Sequence, residues 1–199
     1  MTQNKQLGVF MLEDVRIAFA HGLWQATTVQ GQGKPAFSTS FILPKNHKQL
    51  GALQQTMLAV AEAKWPTKGA ETLKALIAGQ RICLRDGDSK PDVAGYPGNL
   101  FISARTYTQP LVIDGARNVL TQAGGKPKSG DYVNARLSIW AQQHPQHGKR
   151  INAQLTGVQF VREGEALAGG SPASVEDFGE IEQQATAAAE FGDLFGVPK

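Results

Sequence analysis

The stretch GDYVNARLSIWAQ, residues 130–142, alternates two kinds of side chain. Tyr132, Asn134, Arg136, Ser138 and Trp140 share one phase, and Val133, Ala135, Leu137, Ile139 and Ala141 share the other. A β-strand with this pattern buries the apolar phase and turns the other outward. Aromatic faces beside a guanidinium suit a polyanion that carries bases: cations replace counterions along a phosphate backbone, and exposed rings accept stacked bases. The stretch LFISARTY repeats the arrangement, with Phe101, Ser103, Arg105 and Tyr107 opposite Leu100, Ile102 and Ala104. Trp140 and Tyr107 lead the stacking candidates, followed by Tyr132, Trp24 and Phe101, while Arg105 and Arg136 lead the backbone contacts. Arg81, Arg85, Lys126, Lys128, Lys149 and Arg150 add charge from adjoining strands and loops.

Catalytic constellations are sparse by comparison. Asp86 and Asp88 in RDGD are spaced to hold a divalent ion for phosphoryl transfer. The same residues suit a tight turn whose acids pair with Arg85 or Lys90, and the turn is the expected reading. The histidines, at 21, 47, 144 and 147, lie in or beside loops, and no cysteine or acid adjoins His144 and His147 to complete a metal set. The sequence has no Walker A motif, no G-x-S-x-G elbow and no H-E-x-x-H helix. The single cysteine, Cys83, cannot form an internal disulfide and reads as a small buried hydrophobe. The expectation is a non-enzymatic protein without metal or cofactor. A metal-dependent phosphoryl-transfer enzyme using Asp86 and Asp88, or a β-rich structural or adaptor protein of a virion, stands as the alternative.

Charge is segregated along the 199 residues. Residues 1–162 hold 19 Lys/Arg against 9 Asp/Glu, a balance of +10, whereas residues 163–199 hold 8 Asp/Glu and one lysine, a balance of −7. A basic body calls for a polyanionic partner, and an acidic terminus reads as an interaction tail. From Gly164 onward the alternation ends, and a linker-like GEALAGGSPAS leads into acids, alanines and the isolated Phe178, Phe191 and Phe195. The expected organisation is a binding domain over residues 1–167 and a flexible acidic tail over 168–199. No apolar run approaches the roughly 20 residues of a membrane span, and MTQNKQLGVF lacks the sections of a signal peptide, so the reading is cytosolic.

The elements that must position these residues are mostly strands. GVFMLEDVRIAF, FSTSFILP, RICLRDG, NLFISARTY, PLVID, the stretch from Gly130 and KRINAQLTGVQFV give about seven. QHPQHGK is a hairpin loop, and Gly157 marks a bulge at which the apolar phase changes from Ile151, Ala153 and Leu155 to Val158 and Phe160. After the second strand, Asn46 and Gln49 suggest an N-cap for a main helix carrying Leu50, Leu53, Met57 and Ala61 until Pro66, and a shorter helix closes at Gly79. A mainly β fold results, an OB-fold-like barrel with one main helix and extra strands. The OB barrel places its helix between strands three and four and binds oligonucleotides in its groove.

Taken in order, FSTSFILPKNHKQL, LRDGD, GYPGNLFISAR, SGDYVNARLSIWA and GVQFVREGEALAGG resemble the bacteriophage single-stranded DNA-binding proteins of the OB-fold type, Enterobacter-phage members in particular. The resemblance covers roughly residues 8–170. It implies a barrel that coats single-stranded DNA during phage replication or recombination, without sequence preference, in the cytoplasm of the infected bacterial host. It also implies an acidic tail; the segregated charge in turn predicts that this tail competes with DNA and, once displaced, engages replication or recombination proteins through Phe178, Phe191, Asp193 and Phe195. Tails of this kind end in an aromatic beside acids, whereas here EFGDLFG is followed by Val197, Pro198 and Lys199.

Overall fold

The computed structural model describes residues 7–29 and 32–167; the tail from residue 168 lies outside the described residues. These residues fall within one compact unit, Met1–Gly169. Among them are eight strands and two α-helices: β1 (Val9–Ala18), β2 (Thr27–Val29), β3 (Gln32–Pro44), α1 (Leu50–Lys64), α2 (Gly69–Ala78), β4 (Leu84–Asp86), β5 (Asn99–Thr106), β6 (Leu111–Ile113), β7 (Tyr132–His144) and β8 (Gly148–Arg162).

Five strands close a ring. β1 pairs with β3, β3 with β5, β5 with β8, β8 with β7, and β7 with β1; only β5 and β8 run parallel. Closure removes exposed sheet edges from the ring, and β2, β4 and β6 extend it by pairing with β3, β5 and β8. This is the OB-like strand order. As expected, both helices follow the second ring strand; where the OB barrel places its helix, between the third and fourth ring strands, β6 and a 3-10 turn stand instead.

The inward phase of the ring strands is apolar apart from the buried Thr39 on β3 and Thr106 on β5. Leu12, Ile17, Phe41, Leu43, Ile102, Leu137 and Leu155 are almost wholly buried, each worth about 1.5–3 kcal/mol of transfer energy. α1 adds Leu53, Met57, Val60 and Ala61 to this core and α2 adds Leu73 and Leu76. Trp65, just past α1, fixes the helices to β7 by donating its indole N–H to Gln143 Oε1 at 2.8 Å. α1 ends at Lys64 before Pro66, and Gly79 caps α2.

The start of α1 corrects the expected Asn46 cap. Gln49 is the N-cap residue, and its side chain makes no cap bond. Instead its amide accepts from Glu13 N at 2.8 Å and donates to Met11 O at 3.0 Å, which ties the helix start to β1. β1 is itself bulged between Leu12 and Val15, where Asp14 adopts φ 53° and donates its N–H to Asn134 Oδ1. The bulge expected at Gly157 is present: Arg136 pairs with Gly157 and Leu137 with Leu155, so Thr156 is the extra residue.

Candidate nucleic-acid interface

The outward phases of β3, β5 and β4 form one wall. Ser38, Ser40 and Ile42 on β3 face Arg105, Ser103 and Phe101 on β5, and Arg85 on β4 lies beyond Phe101. At one end Tyr107, just past β5, is 60% exposed. Lys34 Nζ lies 5.0 Å and Arg105 Cζ 5.6 Å from its ring centroid, and Arg105 Nη2 donates to Lys34 O at 3.0 Å. Two cations are thereby held beside an open aromatic face. Lys34 lies near the start of β3, and nothing in the sequence local to it reveals that it meets Tyr107.

Toward the other end the wall is roofed by the loop from Gly87 to Gly98. Phe101 is fully buried, and Tyr96 from this loop stacks on it. This corrects the expectation that Phe101 presents a free stacking face: its phase is outward, but Tyr96, Ala18 and Ile42 cover it, with Val93 and Leu167 packed alongside. Burial pushes the Tyr96 hydroxyl above its ordinary pKa. Arg85 remains at the border of the roof. Its guanidinium lies 4.8 Å from the Phe101 centroid, Nη2 donates to Ser103 Oγ at 3.2 Å, and its buried Nε has no partner among the described residues.

Asp86 and Asp88 anchor that roof. Lys45 Nζ reaches Asp86 at 3.1 Å and Asp88 at 2.6 Å, so the pairing partner is Lys45 and not the expected Arg85 or Lys90. Asp88 Oδ1 accepts from Gly98 N, and Asp86 Oδ1 accepts from Asp88 N. The Gly98 amide and then Lys45 hold the Asp88 carboxyl below its usual range, and the two aspartates raise Lys45. Both carboxylates serve a turn.

The remaining predicted residues lie elsewhere on the unit. On β7 the expected alternation is observed, with Val133, Ala135, Leu137 and Ile139 buried and Arg136 and Trp140 exposed. Arg136 Nη1 donates to Thr156 Oγ1, and Trp140 stands opposite Asn152 of β8. One strand, β8, therefore separates Trp140 and Arg136 from Arg105 on β5. Tyr132, at the start of β7, carries Arg162 Cζ at 3.5 Å from its ring centroid. Trp24 is half-buried, packed against the main core.

Lys149 lies 5.0 Å over the Trp65 ring, and Arg150 lines a cleft with Arg81 beside the β7–β8 hairpin. Arg81 donates to His147 O, and His144 and His147 stack on each other there. Lys126 is engaged by Glu163 at 2.7 Å, an acid that the sequence assigned to the start of the acidic region, while Lys128 is exposed nearby. Cys83 is buried, and burial pushes its thiol up to about 12. Phe178, Phe191, Asp193 and Phe195 lie outside the described residues.

Comparison with known proteins agrees with this architecture. The solved single-stranded DNA-binding protein from bacteriophage Enc34 in complex with ssDNA superposes with a TM-score of 0.62 at 25% identity, covering 82% of this chain and 91% of that one. The gp2.5 single-stranded DNA-binding protein of bacteriophage T7 shares the fold alone, with a TM-score of 0.51 at 12% identity over 90% of this chain and 98% of that one. Protein p50 of Acyrthosiphon pisum secondary endosymbiont phage 1 is 40% identical over 173 residues, 85% of this chain and 92% of its own length. The family model described as "Enterobacter phage Enc34, ssDNA-binding protein" matches residues 9–189, and the chain belongs to that family.

Proposed function

We propose that the chain coats single-stranded DNA without sequence preference, leading the strand along the β3–β5–β4 wall. The observation that carries this reading is the exposed Tyr107 ring flanked by Lys34 and Arg105 on the outer face of the second and third ring strands. That is the face with which OB barrels meet oligonucleotides. A ring stacks any base and fixed cations neutralise any phosphate, so the binding is tolerant of sequence. Arg85 extends the charge along the wall, and Trp140 with Arg136 contacts a strand long enough to cross β8. Lys128, Lys149 and Arg150 serve as outlying phosphate contacts, and Lys126 joins them when Glu163 releases it.

The protein acts in the infected host, and the reading places it in the host cytoplasm during phage replication or recombination. The acidic tail competes with DNA for the basic wall and, once displaced, engages replication or recombination proteins through Phe178, Phe191, Asp193 and Phe195. Phosphoryl transfer is not favoured: the family is one of binding proteins, and Asp86 and Asp88 are taken up by Lys45 and the Gly98 turn. A virion structural role has no observation in its support. Titration of a labelled oligo-dT with the full chain tests the proposal. Saturable binding that weakens steeply with salt and is matched by mixed-sequence DNA supports it, and no binding at low salt overturns it.

A further inference from the structure

One cross-strand row links the wall to a cleft that the reading above does not use. Tyr132 on β7 is directly opposite Arg16 on β1, Arg16 opposite Ile42 on β3, Ile42 opposite Phe101 on β5, and Phe101 opposite Arg85 on β4. These side chains share the outer phase over five strands, about 19 Å at the usual strand spacing, with Ile42 and Phe101 in the middle of the row buried beneath the Tyr96 roof. At its β7 end a cleft of about 500 Å³ opens, with Tyr132, Arg16, Ile42, Pro44 and Lys48 in its walls.

We propose that this cleft seats one base of the bound strand on Tyr132, with the adjoining phosphates on Arg16 and Lys48, as the far end of the single-strand path. The proposal rests on the single-stranded DNA reading above. Three features fit it. Arg162 stacks over the Tyr132 ring, and that ring lines the cleft beside Arg16. Asp14 pins Arg162 through contacts of 2.8 and 3.4 Å, so the platform is assembled in advance and the one aspartate in the cleft wall is already paired. A preorganised ring gives up little side-chain freedom when a base arrives.

The cations are arranged in a complementary way. Arg16 donates Nε to Gly130 O at 3.3 Å and Nη2 to Glu165 O at 2.6 Å; carbonyls orient the guanidinium without cancelling its charge. Gly130 must be glycine for this: its φ is +108°, and a side chain would collide with the Glu165 carbonyl. Lys48 is exposed, with Glu13 at 3.8 Å as its ion-pair contact, and is free to swing onto a phosphate. Pro44, exposed in the cleft wall, supplies apolar surface against which a base plane sheds water.

Photo-crosslinking of the full chain to an oligo-dT series containing 5-iododeoxyuridine tests the site, read together with affinities of Tyr132→Leu and Lys48→Ala across oligonucleotide length. The expected result is a crosslink at Tyr132 and, for both variants, about tenfold weaker binding to oligonucleotides long enough to reach the cleft, with the shortest bound ones unaffected. Lys48 is solvent-exposed, so its variant reads the site even if Tyr132→Leu folds poorly. Parent-like affinity of Lys48→Ala at every length, with no Tyr132 crosslink, overturns the cleft while leaving the wall intact. Failure of the parent itself to bind at any length overturns the single-stranded DNA reading.

Discussion

Tyr96 stacks on Phe101 with ring centroids 4.2 Å apart and planes inclined by 22°. The pair closes the roof over the β5 wall, so Phe101 contributes to stability and Tyr107 is left as the open ring of that wall. Phe101→Ala removes a buried aromatic and should cost about 3–5 kcal/mol, read as a fall in the thermal midpoint. Affinity for oligo-dT, measured well below that midpoint, should fall by less than it does for Tyr107→Ala. A larger loss of affinity than of stability would place Phe101 against bases.

Tyr107→Ala removes an exposed ring and should leave the thermal midpoint unchanged while weakening binding by about 1–3 kcal/mol, the usual worth of one stacked base. Trp140→Ala should show a loss in the same range only with oligonucleotides long enough to cross β8. Anisotropy titrations over a length series separate the two. Parent-like binding by Trp140→Ala at every length would remove Trp140 from the path.

The Asp88 carboxylate is held below its ordinary value of 3.8, first by the Gly98 amide and then by Lys45. A depressed folded-state pKa contributes stability above the unfolded value that is lost as pH falls through the folded one. The Gly87–Gly98 roof should therefore loosen in acid, below about pH 4, and stay closed from there to neutrality. Amide exchange at Gly98 follows this directly. Asp88→Asn should exchange faster at neutral pH and lose the acid step; an acid step that persists in this variant would assign the effect to another group.

Much of the architecture was legible because it rests on local alternation. The phases of β7 were readable residue by residue, and the Gly157 bulge followed from the change in phase along β8. Phase tells which way a side chain points but not what lies over it, which is why Phe101 was misassigned: Tyr96 arrives from a loop and covers it. The Asn46 cap failed for a related reason, since Gln49 spends its side chain on β1, 38 residues away at Met11. Lys34 and Arg16 were missed as site residues because their partners, Tyr107 and Tyr132, meet them only through tertiary pairing.

Residues 163–199 carry a balance of −7 against +10 for residues 1–162, and the tail from 168 accounts for −5 of it. Under the proposed competition, the tether raises the effective concentration of these acids near the wall. Truncation after Ala168 should tighten binding to short oligonucleotides, most at low salt where charges are least screened. Equal affinities of the full and truncated chains at low salt would remove the competition and leave partner recruitment as the tail's remaining role.

The most direct test of the wall is the salt dependence of oligo-dT binding for the parent, for Arg85→Gln combined with Arg105→Gln, and for Lys74→Gln on α2 as a control away from the wall. Each phosphate contact on a single strand contributes about 0.7 unit to the slope of log affinity against log salt. The double variant should lose about 1.4 units of slope and bind more weakly, while Lys74→Gln matches the parent. Equal slopes and affinities for all three proteins would contradict the placement of the strand on β3, β5 and β4.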